Sequence, residues 1–215
     1  MFGSLAYAVS ETFFLVIDPL LPYKLANDFH FNEAQIGVFF FRFTASAVIF
    51  TFVFLLIPDS KVNKVLLGGG FLASVGAFMT GPSRLFGFPN KLDLIKAGLI
   101  VSGLGKALLT SYSFAYCVKS GQEGFPESRK EEVERKVPLV AGFSYGLAGF
   151  VVPLGMSLLN VEFGLRASLD LLGGVFTVYA IGFTIHAAKH NWGRSQEARR
   201  GPLNEEEAAL IRGAT

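Results

Sequence analysis

Four ionisable residues lie inside long apolar stretches of the sequence: Glu11, Asp18, Arg42 and Lys106. A charge deep in a bilayer is costly unless it is paired or faces a water-filled cavity, so each is a candidate functional residue. The chemistry open to them is ion pairing, or proton exchange at one of the two carboxylates. Similar depth and opposite sign predict that Glu11 pairs with Lys106 and that Asp18 pairs with Arg42. Ion pairs that only fix helix packing explain these residues equally well.

Uncharged polar residues accompany these charges at helical spacing. Ser4, Glu11 and Asp18 follow each other at intervals of seven residues, and two helical turns bring them onto one stripe. A second stripe, spaced by three or four residues, consists of Ser102, Lys106, Thr110 and Ser113. Two half-polar helices are expected to line one cavity, with Ser4, Ser102, Thr110 and Ser113 as its uncharged polar lining.

The elements that would carry these residues are six apolar stretches. The chain is 51% hydrophobic with a mean hydropathy of +0.46, which is more apolar than an ordinary soluble domain. Each stretch has about the length that a membrane-spanning helix needs: residues 2–22, 34–57, 65–81, 95–117, 138–160 and 167–188. We predict an all-α, polytopic membrane protein with six transmembrane helices over 1–188 and a polar tail over 189–215. The lipid bilayer is its first expected partner.

Prolines and glycines predict the local geometry of these helices. Pro19 and Pro22 are expected to kink or break the end of the first helix, and Pro153 to kink the fifth. Small residues at or near helical spacing predict close approach of helix backbones: Gly68, Gly69, Gly70, Gly76, Gly98, Ser102, Gly142, Gly146 and Gly149.

The distribution of Lys and Arg predicts the orientation in the membrane. With six spans both termini lie on one side, and most of the basic residues of the connections and the tail fall on that side. The positive-inside rule places it in the cytoplasm, or in the matrix if the membrane is mitochondrial. The organelle itself stays open.

Several function classes are disfavoured by composition and motifs. Nearly balanced charge offers no extended basic surface to nucleic acid, so no nucleic-acid partner is expected. Cys117 is the single cysteine and no histidine pair faces another helix, so no metal and no cofactor is expected. Residues 142–146 fit the pattern GxSxG and His186 follows, but that nucleophile needs a strand-to-helix turn which this segment lacks. No enzymatic activity is predicted.

Residues 14–25, Phe-Leu-Val-Ile-Asp-Pro-Leu-Leu-Pro-Tyr-Lys-Leu, resemble the seventh helix of major facilitator superfamily transporters close to the vesicular amine group. Residues 35–40 look like the start of the eighth helix, and 81–83 with 87–89 look like the loop between helices nine and ten. The resemblance implies the C-terminal six-helix half of that fold, a 3+3 inverted repeat, with helices 1, 2, 4 and 5 facing the central cavity.

Two functions follow from this resemblance. Residues 57–64 lack the glycines of the family's gating motif, and the fourth helix carries Lys106 where the amine transporters have acidic residues. These departures favour an accessory or structural subunit of a larger membrane complex, with other membrane subunits as partners. The alternative is one half of a proton-coupled secondary transporter for a small organic solute, with Glu11 or Asp18 as the coupling carboxylate. That half would work as a dimer or with a separate six-helix half.

Overall fold

The computed structural model describes residues 2–54, 56–57, 61–122 and 126–200, with side chains for all of these except 2–6, 127 and 190–200. Within this part of the chain the regular structure is entirely α-helical, as predicted. The helices are α1 (Phe2–Phe29), α2 (Glu33–Phe54), α3 (Val62–Thr80), α4 (Leu92–Gln122) and α5 (Glu127–Arg200).

Helix α5 is interrupted at Gly164, whose φ of 78° and ψ of 164° are not helical. A positive φ is readily adopted by glycine because it has no Cβ. The interruption divides α5 into a first segment, 127–163, and a second segment, 165–200, and it falls inside the connection predicted between the fifth and sixth stretches. Each of the six apolar stretches therefore coincides with a different helical segment, and only the second and third stretches continue past the end of their helix.

Three parts of the described chain are long and apolar enough to cross a membrane: α2, α3 and the run Ser128–Lys189 in α5. Among the residues whose side chains are described, those of α1 (from Tyr7 onward) and those of α4 do not meet the same criterion of length and composition. These two helices carry Glu11, Asp18 and Lys106 within their apolar runs. Membrane association is thus supported by three helical regions, while the six-span topology and the side of the termini remain predictions.

Helix α1 is longer than expected, because it continues through Pro19 and Pro22 to Phe29. Each proline removes one backbone donor, but Leu21 and Leu25 beside them are fully buried and hold this part of α1 against its neighbours. The helix ends at His30, which has a φ of 54°.

The start of α2 is fixed by a reciprocal capping pair. The backbone N–H of Gln35 donates to Asn32 Oδ1 at 2.9 Å, and the N–H of Asn32 donates to Gln35 Oε1 at 3.0 Å. Such a pair satisfies donors that the first helical turn leaves open.

Helix α4 is the centre of the fold and packs against α1, α2 and α3. Its glycines explain how α2 and α3 approach it so closely. A Cβ added at Gly105 would lie 2.5 Å from the backbone nitrogen of Ala73 on α3, and one at Gly103 would lie 2.1 Å from Ser46 Oγ on α2. The close packing predicted for the third and fourth helices is therefore present. In contrast, a Cβ at Gly146 in α5 would meet open space.

The second segment of α5 is tied to α3 by polar contacts. Ser74 Oγ donates to the carbonyl oxygen of Gly173 at 2.9 Å and lies 2.7 Å from Thr177 Oγ1. The chain divides into two compact units, Met1–Ala180 and Ile181–Thr215. In the second unit the structure describes only the helical continuation to Arg200, so residues 201–215 of the predicted tail lie outside the described part.

Candidate functional site: the charged cluster of α1 and α4

The ion pair predicted between Glu11 and Lys106 is present in the structure. Lys106 Nζ on α4 lies 2.9 Å from Glu11 Oε2 on α1. The two side chains are largely buried, with 21% of Lys106 and 14% of Glu11 exposed. Partial burial strengthens the attraction between the charges but also removes water from both, so the pair depends on good geometry.

An aromatic ring and a chain of hydroxyl groups surround this ion pair. Lys106 Nζ lies 5.0 Å from the centroid of the Phe14 ring, which adds a cation–π contact. Thr110 Oγ1 donates to Ser10 Oγ at 3.1 Å, and Ser10 Oγ donates to the carbonyl oxygen of Tyr7 at 2.7 Å. We call Ser10, Glu11, Phe14, Lys106 and Thr110 the charged cluster. Ser10 was not predicted, because it lies one position away from the stripe that contains Glu11.

The first segment of α5 reaches the edge of this cluster. The rings of Tyr7 and Tyr145 are 6.3 Å apart between centroids and are tilted by 56°. Tyr145 remains half-exposed. Aromatic side chains from two helices, α1 and α5, thus lie beside the cluster.

The second predicted ion pair, between Asp18 and Arg42, is not formed, and this prediction was wrong. Both side chains are exposed, and no described residue makes an ion pair with Asp18. Arg42 instead lies over the ring of Phe39, 5.7 Å from its centroid. Helices α1 and α2 contact each other through aromatic rings, such as those of Phe13 and Phe43 at 5.7 Å between centroids, and this contact leaves Asp18 and Arg42 in different surroundings.

Arg42 contributes instead to a charged group at the start of α4. Lys96 Nζ donates to Asp93 Oδ1 at 2.8 Å. This hydrogen bond, followed by the positive charges of Lys96 and Arg42, lowers the pKa of Asp93. The carboxylate of Asp93 therefore stays ionised to lower pH than an isolated aspartate would.

The structure places the polar residues that were predicted to line a cavity in different surroundings. Thr110 belongs to the charged cluster, but Ser102 and Ser113 are buried between helices, and the prediction that they line a cavity was wrong. Ser102 packs against Gly76, where an added Cβ would lie 2.1 Å from Ser102 Oγ, and Ser113 Oγ donates to the carbonyl oxygen of Thr110 at 3.3 Å. These two serines are buried because α1, α2 and α3 all pack against α4. The side chain of Ser4 lies outside the described residues.

Helix α1 carries two carboxylates: Glu11, which belongs to the charged cluster and is paired with Lys106, and Asp18, which lies outside the cluster and has no ion-pair partner among the described residues. Glu11 and Asp18 are about 10.5 Å apart along the axis of α1, at 1.5 Å per residue. A proton that neutralises Glu11 would break its attraction to Lys106, while Asp18 is open to a partner or to water. The arrangement has the parts for ion pairing with another protein and for proton exchange. Among the described residues, no group of three or more His, Cys, Asp or Glu is placed to hold a metal ion.

Comparisons with known proteins give no family for this chain: no protein-family model, no curated protein and no solved structure matches it. The likeness of residues 14–25 to a transporter helix therefore remains a resemblance.

Proposed function

We propose that this chain is a membrane-embedded accessory subunit of a larger complex, in which another protein covers the charged face of α1. The observation that carries the proposal is the exposed carboxylate of Asp18, which has no ion-pair partner among the described residues. Asp18 lies 11 residues before the end of α1 at Phe29, or about 16 Å along the helix axis. Its neighbours Val16 and Ile17 are fully buried.

A carboxylate at this position needs a partner that lipid tails do not provide. An unpaired charge in hydrocarbon costs about 2.5–3.5 kcal/mol on insertion scales. Hydrocarbon offers no hydrogen bonds. A basic or polar side chain from another subunit would satisfy Asp18 and would complete the face that the Glu11–Lys106 pair begins.

The apolar surfaces on either side of this face fit the same proposal. Phe41 and Phe52 on α2 and Phe143 and Phe150 on the first segment of α5 are all exposed. Surfaces of this kind are covered by lipid or by protein. The uncompensated charge of Asp18 favours protein for the part of the surface that adjoins α1.

Proton-coupled transport is the second candidate, and the pair of carboxylates on α1 favours it. Glu11 is paired with Lys106, whereas Asp18 is exposed and has no ion-pair partner among the described residues. A transporter of this kind moves one bundle of helices against another. The chain would then act with a second six-helix half or with a second copy of itself.

Photo-cross-linking in the native membrane tests the first proposal. A photoreactive amino acid at position 18 is expected to form an adduct with another protein. The matched control is the same amino acid at Val178, an exposed apolar position on the second segment of α5, which is expected to label lipid. Adducts with lipid alone at position 18, in a folded chain, would contradict the proposal.

Uptake driven by a proton gradient separates the two candidates. The variants Glu11→Gln and Asp18→Asn are each reconstituted into vesicles together with the partner that copurifies. Loss of proton-driven uptake in either variant supports the transporter. Unchanged uptake in both variants rejects a coupling role for these carboxylates.

A further inference from the structure

A polar pocket of ≈ 420 Å³ lies away from the charged cluster, at the C-terminal end of α1. Its walls come from three separate parts of the chain: residues 20–28 of α1, residues 84–90 of the connection between α3 and α4, and residues 160–166 around the interruption of α5. The function proposed above makes no use of this pocket.

The pocket is rich in positive charge. Lys24, Arg84 and Arg166 line it together with a single carboxylate, Asp28. The lining therefore carries an excess of two positive charges. Asp170 lies behind the wall, where its Oδ2 accepts a hydrogen bond from the backbone N–H of Arg84 at 3.3 Å.

Two of these cations are held in place by the fold. Lys24 is 8% exposed, and its Nζ lies 3.0 Å from Asp28 Oδ2. Arg166 donates from Nε to the carbonyl oxygen of Pro82 at 2.6 Å and from Nη2 to that of Phe88 at 2.8 Å. These bonds fix the plane of the Arg166 guanidinium, and its Nη1 makes no hydrogen bond to a described residue. The side chain of Arg84 is exposed at the entrance.

Neutral donors complete the lining. Asn27, Asn90 and Asn160 contribute amides, and Tyr23 contributes a phenol. The second segment of α5 also begins here, directly after Gly164, so its first backbone N–H groups add positive potential on this side. Positive groups on three walls suit a tetrahedral oxyanion better than a planar carboxylate, which is bound through one edge.

We propose that this pocket binds the phosphoryl group of an organic phosphate. Arg84 and Arg166 contact the phosphoryl oxygens, and the asparagine amides contact neighbouring hydroxyl or ester oxygens. A phosphoryl group alone does not fill the pocket, and the remaining volume accommodates the organic part. The same chemistry is found in soluble phosphate monoesters and in anionic phospholipid headgroups. The proposal stands independently of whether the chain works within a larger complex.

Two binding experiments on the full chain distinguish these two sources. In the first, the chain in nanodiscs of phosphatidylcholine is titrated with glycerol phosphate by calorimetry. In the second, part of the phosphatidylcholine is replaced by phosphatidic acid, and lipid retained by the protein is measured by native mass spectrometry. Saturable binding in the first assigns a soluble phosphate, and selective retention in the second assigns a lipid headgroup.

Arg84→Gln is the test variant, because no described side-chain hydrogen bond of the folded chain depends on the Arg84 guanidinium. Loss of one charge-assisted hydrogen bond is expected to weaken binding at least about tenfold. Lys91→Gln is the matched control, since Lys91 is an exposed cation of the same connection that does not line the pocket. Its binding is expected to change less than about twofold.

Three results would overturn the proposal. They are the absence of saturable or selective binding in both experiments, equal weakening by Arg84→Gln and Lys91→Gln, and displacement of the phosphate by succinate at the same concentration. A second variant, Lys24→Met, checks the result obtained with Arg84→Gln. It removes a different cation from the same pocket and is expected to weaken binding as well.

Discussion

The Glu11–Lys106 ion pair is best tested by a double-mutant cycle. Glu11→Gln leaves the ammonium of Lys106 without its carboxylate, and Lys106→Met leaves the carboxylate without its cation. The double variant removes both charges and keeps the approximate volume of both side chains. The cycle therefore separates the interaction between the two residues from the cost of changing each one.

The expected magnitude follows from burial and distance. Removing one partner of a buried ion pair costs about 3–5 kcal/mol. Because Glu11 and Lys106 retain 14% and 21% exposure, water screens part of the charge left behind, and we expect each single variant to lose about 2–3 kcal/mol. Lys106→Met should lose somewhat more, since it also removes the cation–π contact with Phe14. The double variant should lie within about 1 kcal/mol of the unmodified chain, because burying a neutral amide costs much less than burying an unpaired charge.

The assay is unfolding of the purified chain in mixed micelles by a denaturing detergent, followed by helical circular dichroism. A coupling free energy of at least about 3 kcal/mol is the expected result. Asp18→Asn is the matched control, because Asp18 has no ion-pair partner among the described residues and its neutralisation should leave the isolated chain as stable or slightly more stable. Additive losses in the double variant would refute the reasoning, since they would mean that the two side chains do not interact.

Four further substitutions, one of them a control, test the packing of the chain. Gly98→Ala should destabilise by about 1–3 kcal/mol, because its Cβ would lie 2.5 Å from the backbone nitrogen of Thr80, whereas Gly146→Ala, which meets open space, should not destabilise; unfolding of both variants in the same micelles checks this. Arg166→Ala should increase proteolysis within the connection between α3 and α4, which loses two hydrogen bonds, and an unchanged cleavage rate would contradict the role assigned to that side chain. Tyr112→Phe should cost about 1 kcal/mol, because the hydroxyl donates to the carbonyl oxygens of Phe54, the last residue of α2, and of Ile57 just after it; equal unfolding free energies would show that water replaces it.

Helix positions were predictable from the sequence because apolar length and helix-breaking residues act locally. The six apolar stretches correspond to six helical segments, and the connection predicted at 161–166 contains the interruption at Gly164. The extension of α1 through Pro22 was not predictable in this way, since it depends on burial of Leu21 and Leu25 by other helices.

The partners of the charged residues were predictable only in part. Depth along a helix indicates which residues lie at one level, and this sufficed for Glu11 and Lys106. It does not indicate which face of a helix meets a neighbour, and for this reason the predicted pairing of Asp18 with Arg42 was wrong. The phosphate pocket left no motif in the sequence, because its cations are far apart along the chain and are brought together by folding.

The mass of the particle extracted gently from the native membrane tests the central claim most directly. The account predicts a stable assembly that contains this chain together with other proteins, because it proposes that another subunit covers the exposed carboxylate of Asp18 on α1. A simple dimer with transport activity would shift the assignment to the transporter. A monodisperse particle of one folded chain with only detergent or lipid would contradict the claim that this protein is a subunit of a larger complex.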